Sequence, residues 1–279
     1  MPCYYAHRVF GRAVLALLPD PLRGRLEDEG GAYEVGLYGP DPLFFYHFLT
    51  KNRPRMTGLL MHKQPVRPVA ERLRRAVEED LPLAHGYAAG FLCHFALDSR
   101  CHFYIEEQTA LRGLSHAGME SELDRALMLR DGLDPLRDTP LPDPALPADF
   151  YRTVCQAAYP GVQPHQFEVA FRNFRRVSRL QTKLAGTGAS RLTYWAGDRV
   201  PALASLRGSV LTRLPDPAYE GTTRDLLALL EGEAAPAARA IAAFFAPAGG
   251  ALGDWYDRPF SGQWERDRRT PEESAGGDR

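Results

Sequence analysis

Apolar residues recur every three or four positions along most of the chain, the spacing of helices that bury one face. Residues 4–18 follow this period and stop before Pro19. Residues 68–81 form an amphipathic pattern with charges on the outer face. Residues 84–107 are the least polar long segment, and a helix apolar on most sides runs through a core. Residues 115–129 predict another helix, with Ser115 in the cap position. The helical period resumes over 150–159, 164–184 and 222–245. Alternating runs of β-branched residues are hardly present. The expected fold is therefore all-α, a multi-helical single domain.

Turn chemistry divides this pattern. The stretch "LYGPDPLFFYHFLT" opens with a turn, after which Asp41 can cap a helix that has Pro42 at its first position. Residues 131–149 are dominated by Asp, Pro and Leu and read as an extended linker or surface loop. The expected organisation is a helical core at 1–130, that loop, and helices over 150–261 packing back on the core. Residues 262–279 are charged and poor in apolar groups, and are expected to be disordered. No internal repeat is visible.

Composition narrows the function. At 279 residues the length suits one large domain or two small ones. The net charge is −1, so no overall basic field draws the chain to nucleic acid or anionic lipid. A small or neutral substrate stays open. The only apolar run near the N-terminus, 14–18, is too short for a signal peptide. No window approaches the ~18 apolar residues of a membrane span, so the expected compartment is the cytoplasm. Four cysteines (Cys3, Cys93, Cys101, Cys155) fit a reducing compartment. With no CxxC pair a thiolate zinc site is not expected, and Cys93 and Cys101 read as small buried hydrophobes.

The chemistry gathers in the apolar segment "HFALDSRCH". At ~100° per residue, His94, Asp98 and His102 share one helix face. They climb along it by ~12 Å at ~1.5 Å per residue, too far for one mononuclear site and suited to a row of metals. A central carboxylate can bridge two cations ~3.5–4 Å apart. The next helix repeats the device with His116 and Glu120 at i, i+4, a spacing that lets two side chains grip one zinc. His7, Asp41 and His62 supply further ligand types upstream. Imidazoles and carboxylates without thiolate suit zinc, with iron and manganese chemically open. Singly, each has a plain structural explanation: Asp41 as a helix cap, His62 on a surface, His7 as a satisfied core residue, His116 and Glu120 solvated. Jointly they do not, because burying several such groups is costly unless they are paired or bound to metal. His47 and His85 fit positions behind the ligands or, preferably, on the surface.

The segments "YAHRVFG", "GLYGPDPLFF", "LLMHKQP", "GFLCHFALDSRCHFYIE" and "SHAGMESELDRALM" resemble the zinc-dependent phospholipase C family, all-α phosphodiesterases related to fungal zinc-dependent single-strand nucleases. The likeness covers roughly residues 1–130. It implies a cluster of three zincs. His62, His94 and Asp98 would hold one, with Asp41 as ligand or as the base beside it. Asp98 would bridge to a second, also held by His7, and His102, His116 and Glu120 would hold the third. Secreted members begin with a Trp whose amino group and carbonyl bind zinc. This chain has no Trp there, so Pro2, Cys3 or water would complete the His7 site, and two tight metals plus a weaker one is the alternative.

The resemblance implies hydrolysis of a phosphoester: water between the two metals sharing Asp98 attacks phosphorus in line, with Asp41 orienting or deprotonating it. A phospholipid or a smaller phosphoester is the expected substrate, and the aromatics of "CYY" and "LFFYHF" would suit a lipid. A nuclease or nucleotidase on the same metal core is the second reading, disfavoured for long nucleic acid by the near-zero net charge. A non-catalytic metal- or lipid-binding helical protein is the third, and the complete ligand set counts against it. A phosphohydrolase built on an adjacent His-Asp pair is excluded, because no such dipeptide occurs.

Overall fold

A computed structural model describes residues 4–143, 146–187, 191–192, 195, 199, 211–246 and 252–262. Its helices are α1 (Tyr4–Leu17), α2 (Asp20–Asp28), α3 (Gly30–Gly36), α4 (Arg53–Met61), α5 (Arg67–Glu78), α6 (Ala84–Arg112), α7 (His116–Arg130), α8 (Ala148–Ala157), α9 (Pro164–Gly186) and α10 (Glu220–Phe244). Short 3-10 turns span Asp41–Phe45, Pro217–Tyr219 and Asp254–Asp257. Among the described residues there is no strand, only an isolated bridge between Pro65 and Pro259. The all-α expectation is met.

The apolar helix α6 forms the axis of the fold. Phe91, Leu92 and Phe95 are fully enclosed along it, and α1, α3, α5 and α10 pack around it. A single core joins Phe10 of α1, Phe91 of α6, Phe150 of α8, Phe167 of α9 and Ile241 of α10. The segments on either side of the proline-rich stretch thus share one interior.

Small residues let α3 lie directly on α6. A Cβ on Gly90 would stand 2.2 Å from the Tyr33 carbonyl oxygen, and one on Gly36 2.5 Å from that of Tyr87. This approach carries residues 37–41 across the middle of α6. Gly39, at φ +45°, passes so close that a Cβ there would stand 2.3 Å from the His94 ring. Tyr159 pins the same turn by donating its hydroxyl to the Gly39 carbonyl at 2.5 Å.

Helix ends fix the remaining elements. Gly113, at φ +66°, terminates α6 in the left-handed conformation glycine tolerates. Ser115 caps α7, its Oγ accepting from the Gly118 amide at 3.3 Å, as the sequence predicts. The first turn of α1 has no acidic residue of its own. Asp124 of α7 serves instead, accepting from the amides of Tyr5 (3.1 Å) and Ala6 (2.8 Å).

Several expectations are corrected. Helices α2 and α3 lie where no particular helix was expected, and α6 runs a turn longer, to Arg112. Asp41 opens a short 3-10 turn rather than capping a helix; Pro40 holds the cap position. The described part of the 131–149 stretch follows the loop reading and is tied to the helices beside it. The Pro140 carbonyl accepts from Arg8 at 3.0 Å, Thr139 donates to Thr182 at 2.9 Å, and Leu141 is buried. Gly262 is buried, and a Cβ there would meet the Ser99 carbonyl on α6 at 2.6 Å. The disorder expected beyond it falls on residues outside those described, as do Pro2 and Cys3.

Candidate metal centre

Five elements deliver the eight predicted residues to one place. Helix α6 supplies His94, Asp98 and His102; α7 supplies His116 and Glu120; α1 supplies His7. The C-cap of α4 supplies His62, and the 3-10 turn supplies Asp41. A cleft of about 180 Å³ is lined by His7, Asp41, His62, Asp98, His102, His116 and Glu120, with Phe44 at its edge. His94 lies behind them, fully enclosed.

Asp98 stands at the centre, and its two oxygens face different partners. Oδ1 is 3.2 Å from His7 Nε2 and 3.7 Å from His102 Nε2. Oδ2 is 3.2 Å from His94 Nε2 and 3.7 Å from His62 Nε2. A carboxylate divided in this way is placed to bridge two cations. Asp41 Oδ1 lies 3.1 Å from His62 Nε2 and 4.0 Å from His94 Nε2. At the far end Glu120 Oε1 lies 3.2 Å from His116 Nε2 and 3.7 Å from His102 Nε2.

Backbone carbonyls set the ring orientations. His62 Nδ1 is 2.8 Å from the Gly58 carbonyl, and His94 Nδ1 is 3.2 Å from the Leu37 carbonyl. A carbonyl only accepts, so Nδ1 carries the hydrogen and the Nε2 lone pair points into the cluster, the arrangement that orients metal-bound histidine. His94 Nε2 has no hydrogen bond of acceptable geometry despite its full burial, and neither does His7 Nδ1. A buried polar atom left so is costly, and a bound cation removes the cost.

Electrostatics follow from the crowding. Burial opposes the charge on Asp98, but the surrounding imidazoles prevail and hold its carboxyl well below the usual range. Glu120 is held low in the same way by His116 and His102. Burial lowers His7 and His62, yet Asp98 and Asp41 outweigh it and raise both. His102 rises to about 10, because Asp98 and Glu120 overcome its desolvation. His94 is lowered, with burial dominant. Cations in the cluster would take over the neutralising role that protons play here.

Among the described residues, three groups have ligand atoms within 4.8 Å of one another: His62, His94 and Asp98; His102, His116 and Glu120; and His7, Asp41 and His94. Two coincide with the sets the resemblance implies. In the third, Asp41 and His94 join His7, while Asp98 remains within 3.2 Å of it. The donor set, all imidazole and carboxylate, fits zinc at two or three positions.

The other candidates lie elsewhere. His47 is exposed. His85 sits half-buried, stacked on Phe245 with ring centroids 5.7 Å apart and its Nδ1 3.9 Å from Glu29. Cys93 and Cys155 are buried, which pushes both thiols up to about 12. Sequence reasoning missed Phe260, whose ring centroid is 5.2 Å from that of His62 and 5.8 Å from that of His94. Nothing in its local pattern marks it, since it reaches the centre from 162 residues beyond Asp98. It also missed Asp124, whose spacing from Glu120 reads as ordinary helix periodicity.

Comparison of the chain with protein-family models, with curated proteins and with solved structures gave no match.

Proposed function

We propose that the chain is a zinc-dependent phosphoric ester hydrolase of the phospholipase C type, working through two or three zincs. The observation that carries this reading is the Asp98 carboxylate, whose two oxygens face separate histidine groups inside one cleft.

Zinc bound there supplies a Lewis acid that lowers the pKa of water to about 7 and neutralises phosphoryl charge. His62 and His94 would hold it through Nε2, since their Nδ1 hydrogens are given to the Gly58 and Leu37 carbonyls. Asp41, in the cleft wall beside His62, orients the attacking water and accepts its proton. His116 and Glu120 hold the opposite end, where the phosphoryl and leaving oxygens would lie. Phe44 and Phe260 flank the His62 ring and keep that side of the cluster dry.

Hydrolysis of bis-p-nitrophenyl phosphate tests the reading. The purified protein is expected to turn it over, to lose activity on chelation and to regain it with zinc. Activity that survives complete metal removal contradicts the reading, as does a zinc-loaded protein with no phosphoesterase activity.

A further inference from the structure

The near-neutral total charge conceals a segment of one sign beside the cleft. Residues 42–70 contain no Asp or Glu and five basic residues: Lys51, Arg53, Arg55, Lys63 and Arg67. Arg67 pairs with Asp257. The other four form no ion pair with any described carboxylate, and Lys51, Arg53 and Lys63 are exposed. The same segment displays large apolar side chains to solvent: Phe48 at 49%, Leu49 at 86% and Leu60 at 51% exposure, with Leu59 beside them.

These side chains are held out by construction. Asn52 Nδ2 donates to the carbonyls of Tyr46 (2.8 Å), His47 (3.3 Å) and Thr50 (3.1 Å). Its Oδ1 accepts from the Arg55 amide at 3.0 Å, capping α4. The loop over 46–52 is thereby closed into a tight turn with Phe48 and Leu49 at its tip. Leu59 and Leu60 end α4 two residues before His62, and Phe44 is four residues before Phe48. Leu60 also lips a second cavity of about 240 Å³, walled by Met61, Pro65, Val69 and Phe260. Exposed apolar side chains therefore lie in the segment that follows Asp41 and supplies His62 to the metal cluster.

We infer that this face docks on a bilayer containing anionic phospholipid. Exposed aliphatic and aromatic side chains interspersed along one segment with Lys and Arg that pair with no described carboxylate match the two components of such a surface: apolar groups enter the acyl boundary and cations meet the headgroup charge. A nucleic acid would match the charge but not the leucines, since single strands are held by stacking on aromatic faces. Docking would bring headgroups to the cleft mouth, and that consequence rests on the phosphoric ester hydrolase reading; docking itself does not.

Flotation of the full chain with vesicles tests the inference. The wild-type protein is expected to float with phosphatidylcholine–phosphatidylglycerol vesicles, to float weakly with pure phosphatidylcholine, and to be released as salt rises. Leu49→Asp combined with Leu60→Asp should reduce the bound fraction by about tenfold or more, at the cost of polar groups in apolar lipid. Lys51→Glu combined with Lys63→Glu should remove the preference for anionic vesicles. Both variants should keep wild-type turnover of soluble bis-p-nitrophenyl phosphate and a helical circular dichroism spectrum. A wild-type protein that stays with the soluble fraction overturns the inference. So does vesicle binding that neither variant alters, retention of an oligonucleotide in its place, or a dimer abolished by Leu49→Asp without any lipid binding. Vesicle binding by a protein inactive on every phosphoester would retain the docking surface and reject the proposed activity.

Discussion

Asp98 and His102 illustrate how a metal-free cluster of this kind uses protons in place of cations. The depressed Asp98 and Glu120 stabilise the fold above their unfolded values, 3.8 and 4.5, and that contribution is lost as pH falls through their lower folded values. The raised His102 contributes fully below its unfolded value of 6.5 and is lost as pH climbs through about 10. The lowered His94 contributes above its unfolded value of 6.5 and loses that contribution as pH falls, so the chelated protein should be most stable near pH 6.5. Its thermal midpoint should fall on both sides, as a pH series of melts in chelator would record. Zinc replaces the proton on His102, so its uptake at neutral pH should release a proton and its affinity should rise with pH. A chelated protein whose melting point is flat from pH 5 to 9 would contradict this picture of the site. The identity of these residues was legible because they recur at four-residue steps on α6 and α7. Asp41 was legible as a residue with a role but ambiguous in which: a helix cap and a cleft carboxylate look alike in sequence. Its pairing with His62 and the cap position of Pro40 decide the matter.

At the scale of elements, two contacts hold the cleft together. The first is the approach of α3 to α6, where Gly90 leaves no room for a methyl group against the Tyr33 carbonyl. Gly90→Ala gains up to about 1 kcal/mol of helix propensity but forces backbone against backbone. We expect a net loss of about 2 kcal/mol or more, at the upper end of overpacking costs, read by urea denaturation. A neutral result would mean that α3 can shift freely. The second is the cap that Asp124 of α7 places on α1. Asp124→Ala should cost about 1–2 kcal/mol and weaken zinc retention at the His7 position more than at the His116–Glu120 end. Uniform loss at both ends would assign Asp124 to general stability alone. Helices α1, α5, α6 and α7 were readable because long amphipathic or apolar periods need no tertiary information. Helix α3, "GGAYEVG", was not, since two leading glycines argue against a helix and only its seat on α6 overrides them. The bounds of helix α4 were hidden for a related reason, because its apolar residues follow no single face and two of them, Leu59 and Leu60, point to solvent.

For the whole molecule, sequence-wide averages were the least informative guide. A net charge of −1 suggests indifference to anionic surfaces, yet one side of the cleft is made from 29 residues without a single acid. The all-α class and the single domain follow from patterning, while the joining of the 131–149 stretch to α1 and α9 needed coordinates. No described helix is long and apolar enough to cross a membrane. Zinc stoichiometry is the measurement closest to the central claim. Elemental analysis of the purified chain should find two to three zincs per molecule, falling to one or fewer in Asp98→Asn while the helical spectrum is kept. A wild-type protein that binds no divalent metal, or an Asp98→Asn variant that retains the full complement, would contradict it.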